Sequence, residues 1–191
     1  MLDGLLVDLV PWGARFQKLE HKWDNGPAQF WASAGDRSIV TRAALERWQQ
    51  EHRERMENRP RHGVRFGIQT KDGLPIGSIS ARAVPHHRLA MLGAAIGEPD
   101  YWGGGYGTDA LLLVLDYVFD WLDLHKVWLG TMSINARVLR QMEKVGFTLE
   151  ARSRQHWFAD GAWADDMVFG LLRDEWPGRA ATIERLGLRV R

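Results

Sequence analysis

The chain has 191 residues, 45% of them hydrophobic and 26% charged, with a formal net charge of +1 and no cysteine. That length suits one domain with a real core and is too short for two comfortable ones. The near-neutral charge gives no field strong enough to recruit nucleic acid or an anionic membrane, and without cysteine there are no disulfides, thiolate metal sites or cysteine nucleophile.

The start, Met1 to Leu5, lacks the basic and apolar regions of a signal peptide, so the cytoplasm is the expected location. Leu5 to Trp12 alternates weakly and reads as a first strand, ended by Pro11-Trp12-Gly13. Phe16, Leu19 and Trp23 have helical spacing within Ala14 to Trp23, and Asp24-Asn25-Gly26-Pro27 stops that helix. Ala28 to Val40 reads as an irregular connection. Thr41 caps a second helix running to Met56, with Leu45, Trp48 and His52 along one stripe. Arg59 to Gly63 is a polar break. Strands follow at Val64 to Thr70 and Leu74 to Val84, joined by the hairpin turn Lys71-Asp72-Gly73. After the turn Pro85 to Arg88, Leu89 to Gly97 is a further strand, closed by Glu98-Pro99-Asp100.

The next stretch organises the chain. Trp102-Gly103-Gly104-Gly105-Tyr106-Gly107-Thr108-Asp109 carries four glycines in five positions, and glycine contributes nothing to packing. Thr108 reads as the N-cap of an apolar helix, Ala110 to Trp121, and Asp109 suits its positive end. That helix is too short to span a bilayer. Strand, glycine loop and helix N-terminus together make a cradle for an anion. A P-loop would need Lys-Ser or Lys-Thr after Gly107, and the dinucleotide fingerprint would need glycine where Thr108 stands. The alternative is a flexible linker without ligand, which sits poorly with a buried helix directly behind it.

Asp109, Asp116, Asp120 and Asp123 read as the solvated edge of that helix. Lys126 to Met132 is β-rich. Asn135 opens a helix with Val138, Leu139, Met142 and Val145 facing inward, and Gly146 ends it. Phe147 to Phe158 and Trp163 to Leu172 are strands around Ala159-Asp160-Gly161. The arginine-rich tail, residues 177–191, reads as a short terminal helix or a partly mobile end. Ten tryptophans are read as core or pocket wall, with Trp12, Trp31 and Trp163 as candidates for a cleft.

The loop resembles the pyrophosphate loop of the GNAT (GCN5-related N-acetyltransferase) superfamily, in particular the branch containing the ribosomal-protein N-terminal acetyltransferases. Asn135 through Met142-Glu143-Lys144-Val145-Gly146-Phe147 resembles that branch's second motif at the same spacing. The resemblance covers Leu5 to Trp176 and makes residues 1–176 one acyltransferase domain. It implies a mixed α/β sheet of about six or seven strands flanked by helices, whose central parallel strands splay around the coenzyme A arm. Acetyl-CoA would then be the cosubstrate, its arm meeting Ala95, Ile96 and Gly97 like an added strand. The pyrophosphate would meet Trp102 to Thr108, and Asn135 would add a side-chain contact to its bland role as a helix cap. Arg137 and Arg140 are exposed helix arginines or phosphate contacts.

The chain departs from the family where proton transfer is concerned. Met142 stands in place of a common tyrosine, Val138 in place of a serine, and Gly130 in place of an acid. His86, His87, Glu98, His156 and Asp160 remain as candidates, with His156 and Glu98 taken as the catalytic pair. No histidine pair has ligand spacing, and no metal is expected.

The expected reaction is direct attack of a primary amine, on a small molecule or a protein N-terminus, on the thioester in a ternary complex. Amides near Ala95 and Ile96 would stabilise the oxyanion. A larger acyl donor such as succinyl, favoured by a base such as Arg82 or Arg88 near the thioester, and a non-catalytic acyl-CoA-binding module are the alternatives. Relatives of this kind often pair, and the tryptophan-rich C-terminal strands are the expected homodimer face.

Overall fold

The computed structural model describes residues 1–57 and 63–189. The strands are Leu2–Asp3 (β1), Val7–Pro11 (β2), Gly63–Thr70 (β3), Pro75–Val84 (β4), Leu89–Ile96 (β5), Lys126–Met132 (β6), Thr148–Ala159 (β7) and Ala162–Leu172 (β8). They form one eight-stranded sheet in the order β1-β2-β3-β4-β5-β6-β8-β7. The helices are Ala14–Trp23 (α1), Pro27–Ala32 (α2), Arg42–Glu57 (α3), Tyr106–Asp116 (α4), Ala136–Val145 (α5) and Arg179–Leu186 (α6).

Sequence fixes the two layers through side-chain alternation. Val7, Leu9, Phe66, Ile68, Ile79, Ala81, Ala90, Leu92 and Val127 point to the face covered by α4, α5 and α6. Nearly every side chain of α4 from Asp109 to Leu115 is buried there, so this helix is the centre of the core. The opposite face carries α1 and α2. Phe16 lies fully buried against Gly67, where any Cβ would collide with its ring, and Trp23 packs against Gly97 in the same way. Phe30 of α2 forms a small satellite core with Met132, Ala159 and Ala164.

Several sequence expectations change. The sheet has eight strands because Leu2–Asp3 pairs with Asp8–Leu9, and the first predicted strand begins at Val7 rather than Leu5. The supposedly irregular Ala28 to Val40 begins with α2, started by Pro27, whose fixed φ suits a first turn. Thr41 caps α3 as expected, its Oγ1 accepting from the Ala44 N–H at 3.2 Å. In the tail the short-helix reading holds, as Arg179–Leu186 form α6. The predicted polar break at Arg59 to His62 and the side chain of His52 lie outside the described residues.

The acidic stripe is the largest correction. Asp109 is fully buried: its Oδ2 accepts from the Leu6 N–H at 2.7 Å and the Val7 N–H at 3.1 Å, and Arg179 pairs with it at 3.3 Å. Asp116 is half-buried and accepts from the Trp176 indole at 3.1 Å. Only Asp120 and Asp123 are solvated, the latter paired with Arg88 and Arg173 at 2.7 Å each.

Candidate active site

β5 and β6 are the parallel pair of the sheet, connected through α4 as a long crossover requires. They pair only over Leu89 to Met91 against Lys126 to Trp128 and then diverge. Gly93 and Ala94 are exposed as a result, although they lie in the interior of the sheet. On its other side β5 stays paired with β4 up to Ile96, and the Gly97 N–H bonds to the Ile76 carbonyl at 2.8 Å. With a strand period of two, the backbone groups of Leu92, Ala94 and Ile96 turn toward the gap. Ile96 shows it: its carbonyl accepts from the Trp102 indole at 2.8 Å, closing the lower end. The amides expected at Ala95 and Gly97 therefore belong to the β4 side, and Ala94 takes the central gap-facing place.

The glycine loop ends at this gap. Gly103 and Gly105 adopt φ of 77° and 91°, the left-handed region that only glycine enters freely. Gly105, not Thr108, is the N-cap of α4; Thr108 lies within the first turn and accepts through Oγ1 from Gln141 Nε2 at 3.2 Å. The first intrahelical donor is the Asp109 N–H, bonded to the Gly105 carbonyl at 2.9 Å. The amides of Tyr106, Gly107 and Thr108 precede it and point out of the helix start, which suits an anion. Tyr106 packs edge-on against Tyr101, and the Arg137 guanidinium lies 4.1 Å over the Trp102 ring, placing a cation beside the loop.

Asn135 is the buried N-cap of α5. Its Oδ1 faces the Val138 N–H at 3.5 Å, and its Nδ2 donates to Thr131 Oγ1 at 3.2 Å. Met142 is core, 1% exposed, and its thioether has no proton to give. A Cβ on Gly130 would lie 3.4 Å from the Asp166 carboxylate of β8, which also accepts from the Trp157 indole at 3.2 Å. An acid thus stands over Gly130 from the neighbouring strand, a placement that depends on β8 lying between β6 and β7.

Beneath the gap, on the α1 side, is a cavity of about 310 Å³ whose walls include Glu20, Trp23, Asp24, Ala28, Ala32, Trp48, Arg65, Ser78, Ser80 and the β5 residues Gly93, Ala94, Ala95 and Gly97. Glu20 is buried and neutralised: Arg65 pairs with it at 2.8 Å and Gln49 donates to it at 2.6 Å, while Arg65 stacks on Trp12 at 3.6 Å. Trp23 and Trp48, not Trp12, Trp31 or Trp163, are the tryptophans of this wall.

The predicted catalytic pair is not brought together there. Neither Glu98 nor His156 is in the cavity wall. Glu98 accepts from Lys22 at 2.7 Å and from the Trp23 indole at 2.9 Å. Burial raises its pKa, but these donors and the charge of Lys22 outweigh it and hold the carboxyl below its ordinary value. His156 is exposed at the bulge of β7, its ring edge-on to Trp157. His86 and His87 meet at a tilt on an exposed turn, and Asp160 pairs with Arg37 at 2.6 Å. Among the described residues no group of three histidine or acidic side chains could hold a metal ion.

A family model described as an acetyltransferase (GNAT) domain matches residues 9–148. The chain belongs to the GNAT acetyltransferases. It is 34% identical over 129 residues to the probable N-acetyltransferase YjcK of Bacillus subtilis, which covers 65% of this chain and 69% of that protein. It is 31% identical over 100 residues to the spermidine N(1)-acetyltransferase of Escherichia coli K12, of which it spans about half, 53%. Among solved structures, Mycobacterium smegmatis RimJ in complex with CoA-disulfide superposes with a TM-score of 0.77 at 25% identity, over 95% of this chain and 90% of that one. As a GNAT protein it is an acyl-CoA-dependent N-acetyltransferase by class, and the mixed sheet with parted parallel strands is the family's fold.

Proposed function

We propose that this protein transfers an acetyl group from acetyl-CoA to the primary amine of a small molecule. The observation that carries the reading is the opening between β5 and β6, lined by free backbone groups and ending on the helix start behind the glycine loop. An extended arm can lie along Leu92 to Ile96 as an added strand, with its pyrophosphate on the amides of Tyr106, Gly107 and Thr108. Asn135 and Arg137 would flank it. The RimJ neighbour's complex with CoA-disulfide and the polyamine acceptor in the E. coli relative's name support donor and acceptor class respectively.

In the cavity wall the Ser78 hydroxyl accepts from Arg65 and the Ser80 hydroxyl donates to the Gly93 carbonyl, so neither is set up as a nucleophile. The amine attacks the thioester carbon directly, forming a C–N bond and releasing the thiolate. The gap-facing Ala94 amide is the donor best placed to hold the developing oxyanion. A thiolate leaves readily enough for water to protonate it. Of the basic residues considered for a succinyl group, Arg88 is engaged by Asp123, which favours acetyl. Release of free thiol from acetyl-CoA in the presence of primary amines tests the function. Tight coenzyme binding without release for any amine would favour a binding module instead.

A further inference from the structure

Asp24 follows α1 as its C-cap, and its backbone N–H is held by the Glu20 carbonyl at 2.7 Å. Asp24 lines the cavity together with the open part of β5, and its carboxyl feels the charges of the wall residues Glu20 and Arg65. Among the described residues it has neither a hydrogen-bond donor nor an ion-pair partner, unlike its neighbours. Glu20 is spent on Arg65 and Gln49, and Glu98 on Lys22 and Trp23. Among the described residues the charged side chains of the cavity wall are therefore Glu20, Arg65 and Asp24, and the first two pair with each other. One negative charge remains, beside the strand that the thioester would follow.

We propose that the Asp24 carboxylate is the anchor and general base for the acceptor, a primary aliphatic ammonium whose carbon chain lies against Trp23, Ala28, Ala32 and Trp48. This rests on the acetyltransferase reading above and names the residue that reading lacks. An arriving ammonium pairs with Asp24, since leaving either charge alone in a partly desolvated site is costly. Its first proton passes to the carboxylate, freeing the nitrogen lone pair, and the carboxyl returns it to water at the cavity mouth. The nitrogen then bonds to the thioester carbon while the carbon–sulfur bond breaks. The second proton shed by nitrogen balances the thiolate, giving amide, thiol and one proton overall.

The surroundings suit a base. Burial and then the nearby Glu20 raise the Asp24 pKa, more than Arg65 and His21 lower it. Those are the charged groups facing it from α1 and β3; α2 and β4 bring Gln29, Ser78 and Ser80, and α3 brings Trp48.

The test compares the parent protein with Asp24→Asn and Asp24→Glu, using n-butylamine and 1,4-diaminobutane. Turnover is followed by thiol release from acetyl-CoA, and amine binding by calorimetry with free coenzyme A present. Asp24→Asn is expected to lower kcat/KM for amine at neutral pH by at least about a hundredfold, the usual share of a general base. Amine binding should weaken in parallel, coenzyme affinity and melting temperature should not fall, and Asp24→Glu should restore part of the rate. The acid limb of the pH–rate profile should disappear in Asp24→Asn. Equal amine binding in parent and Asp24→Asn, or no amine binding by the parent, overturns the proposal. Binding that depends on Asp24 without any thiol release sustains the ammonium site and overturns the acetyltransferase reading alone.

Discussion

Asp109 and Arg179, seventy residues apart, meet at 3.3 Å directly beneath the glycine loop. The same carboxylate takes the N–H groups of Leu6 and Val7, so one fully buried side chain joins the entry to β2, the first turn of α4 and the start of α6. Its charge is supported by three donors, and removing it strands all of them in a dry place.

Asp109→Ala should therefore destabilise the fold by about 3 kcal/mol, the loss expected when one member of a buried pair is removed. Urea denaturation measures it. A midpoint unchanged from the parent would mean that Asp109 is the solvated residue its spacing in the sequence suggests.

The loop glycines divide into those that shape the fold and those that face the gap. A Cβ on Gly105 would meet Leu188 Cδ1 at 2.7 Å and Leu6 Cδ1 at 3.2 Å, in a left-handed conformation. Gly105→Val should thus lower the melting temperature first. At Gly107 a Cβ has ordinary room, 3.6 Å from Ile96 Cγ1 and 4.0 Å from Gln141 Nε2. Gly107→Val should fold and yet weaken coenzyme A binding at least about tenfold, roughly 1.4 kcal/mol. Calorimetric titration with coenzyme A decides, and undiminished affinity in a folded Gly107→Val would remove the anion cradle.

How far the sequence reaches is visible in particular residues. The strand–loop–helix unit was legible because four crowded glycines admit few backbone solutions, and Asn135 was legible as a cap because capping is local. Thr108 misled because a left-handed Gly105 starts the helix earlier, and turn geometry outweighed cap chemistry. Asp109 misled because its partners come from residues 6 and 7, contacts no helical period records. Asp24 was read as a polar stop to a helix, which it is. Its position in a cavity wall follows only from how α1 docks on the sheet.

Glu98 gives a further test. With its pKa below the ordinary value and donors on both oxygens, it is a weak proton acceptor at neutral pH. Glu98→Gln should keep kcat/KM for amine within about threefold, since general-base loss costs a hundredfold or more. A collapse of kcat with normal coenzyme affinity would restore Glu98 to the catalytic role that the sequence suggested.

Asp24 should also carry a stability signature of opposite sign to most paired carboxylates. Burial and Glu20 raise its folded pKa above the ordinary 3.8, so ionising it costs more in the folded than in the unfolded state. Below the ordinary value the group is protonated in both states and adds no penalty. As pH rises from the ordinary value to the folded pKa the unfolded chain ionises first, so the parent loses stability relative to a neutral side chain, and above the folded pKa the loss is complete. Asp24→Asn should match the parent's melting temperature in acid and exceed it by a margin that grows up to the folded pKa and then holds to neutral pH. Differential scanning calorimetry across that range, read as the difference between the two proteins, isolates this group from others that titrate in both. A difference independent of pH, or one favouring the parent at neutral pH, would show that the carboxylate is stabilised where it lies and would leave it poorly suited to take a proton.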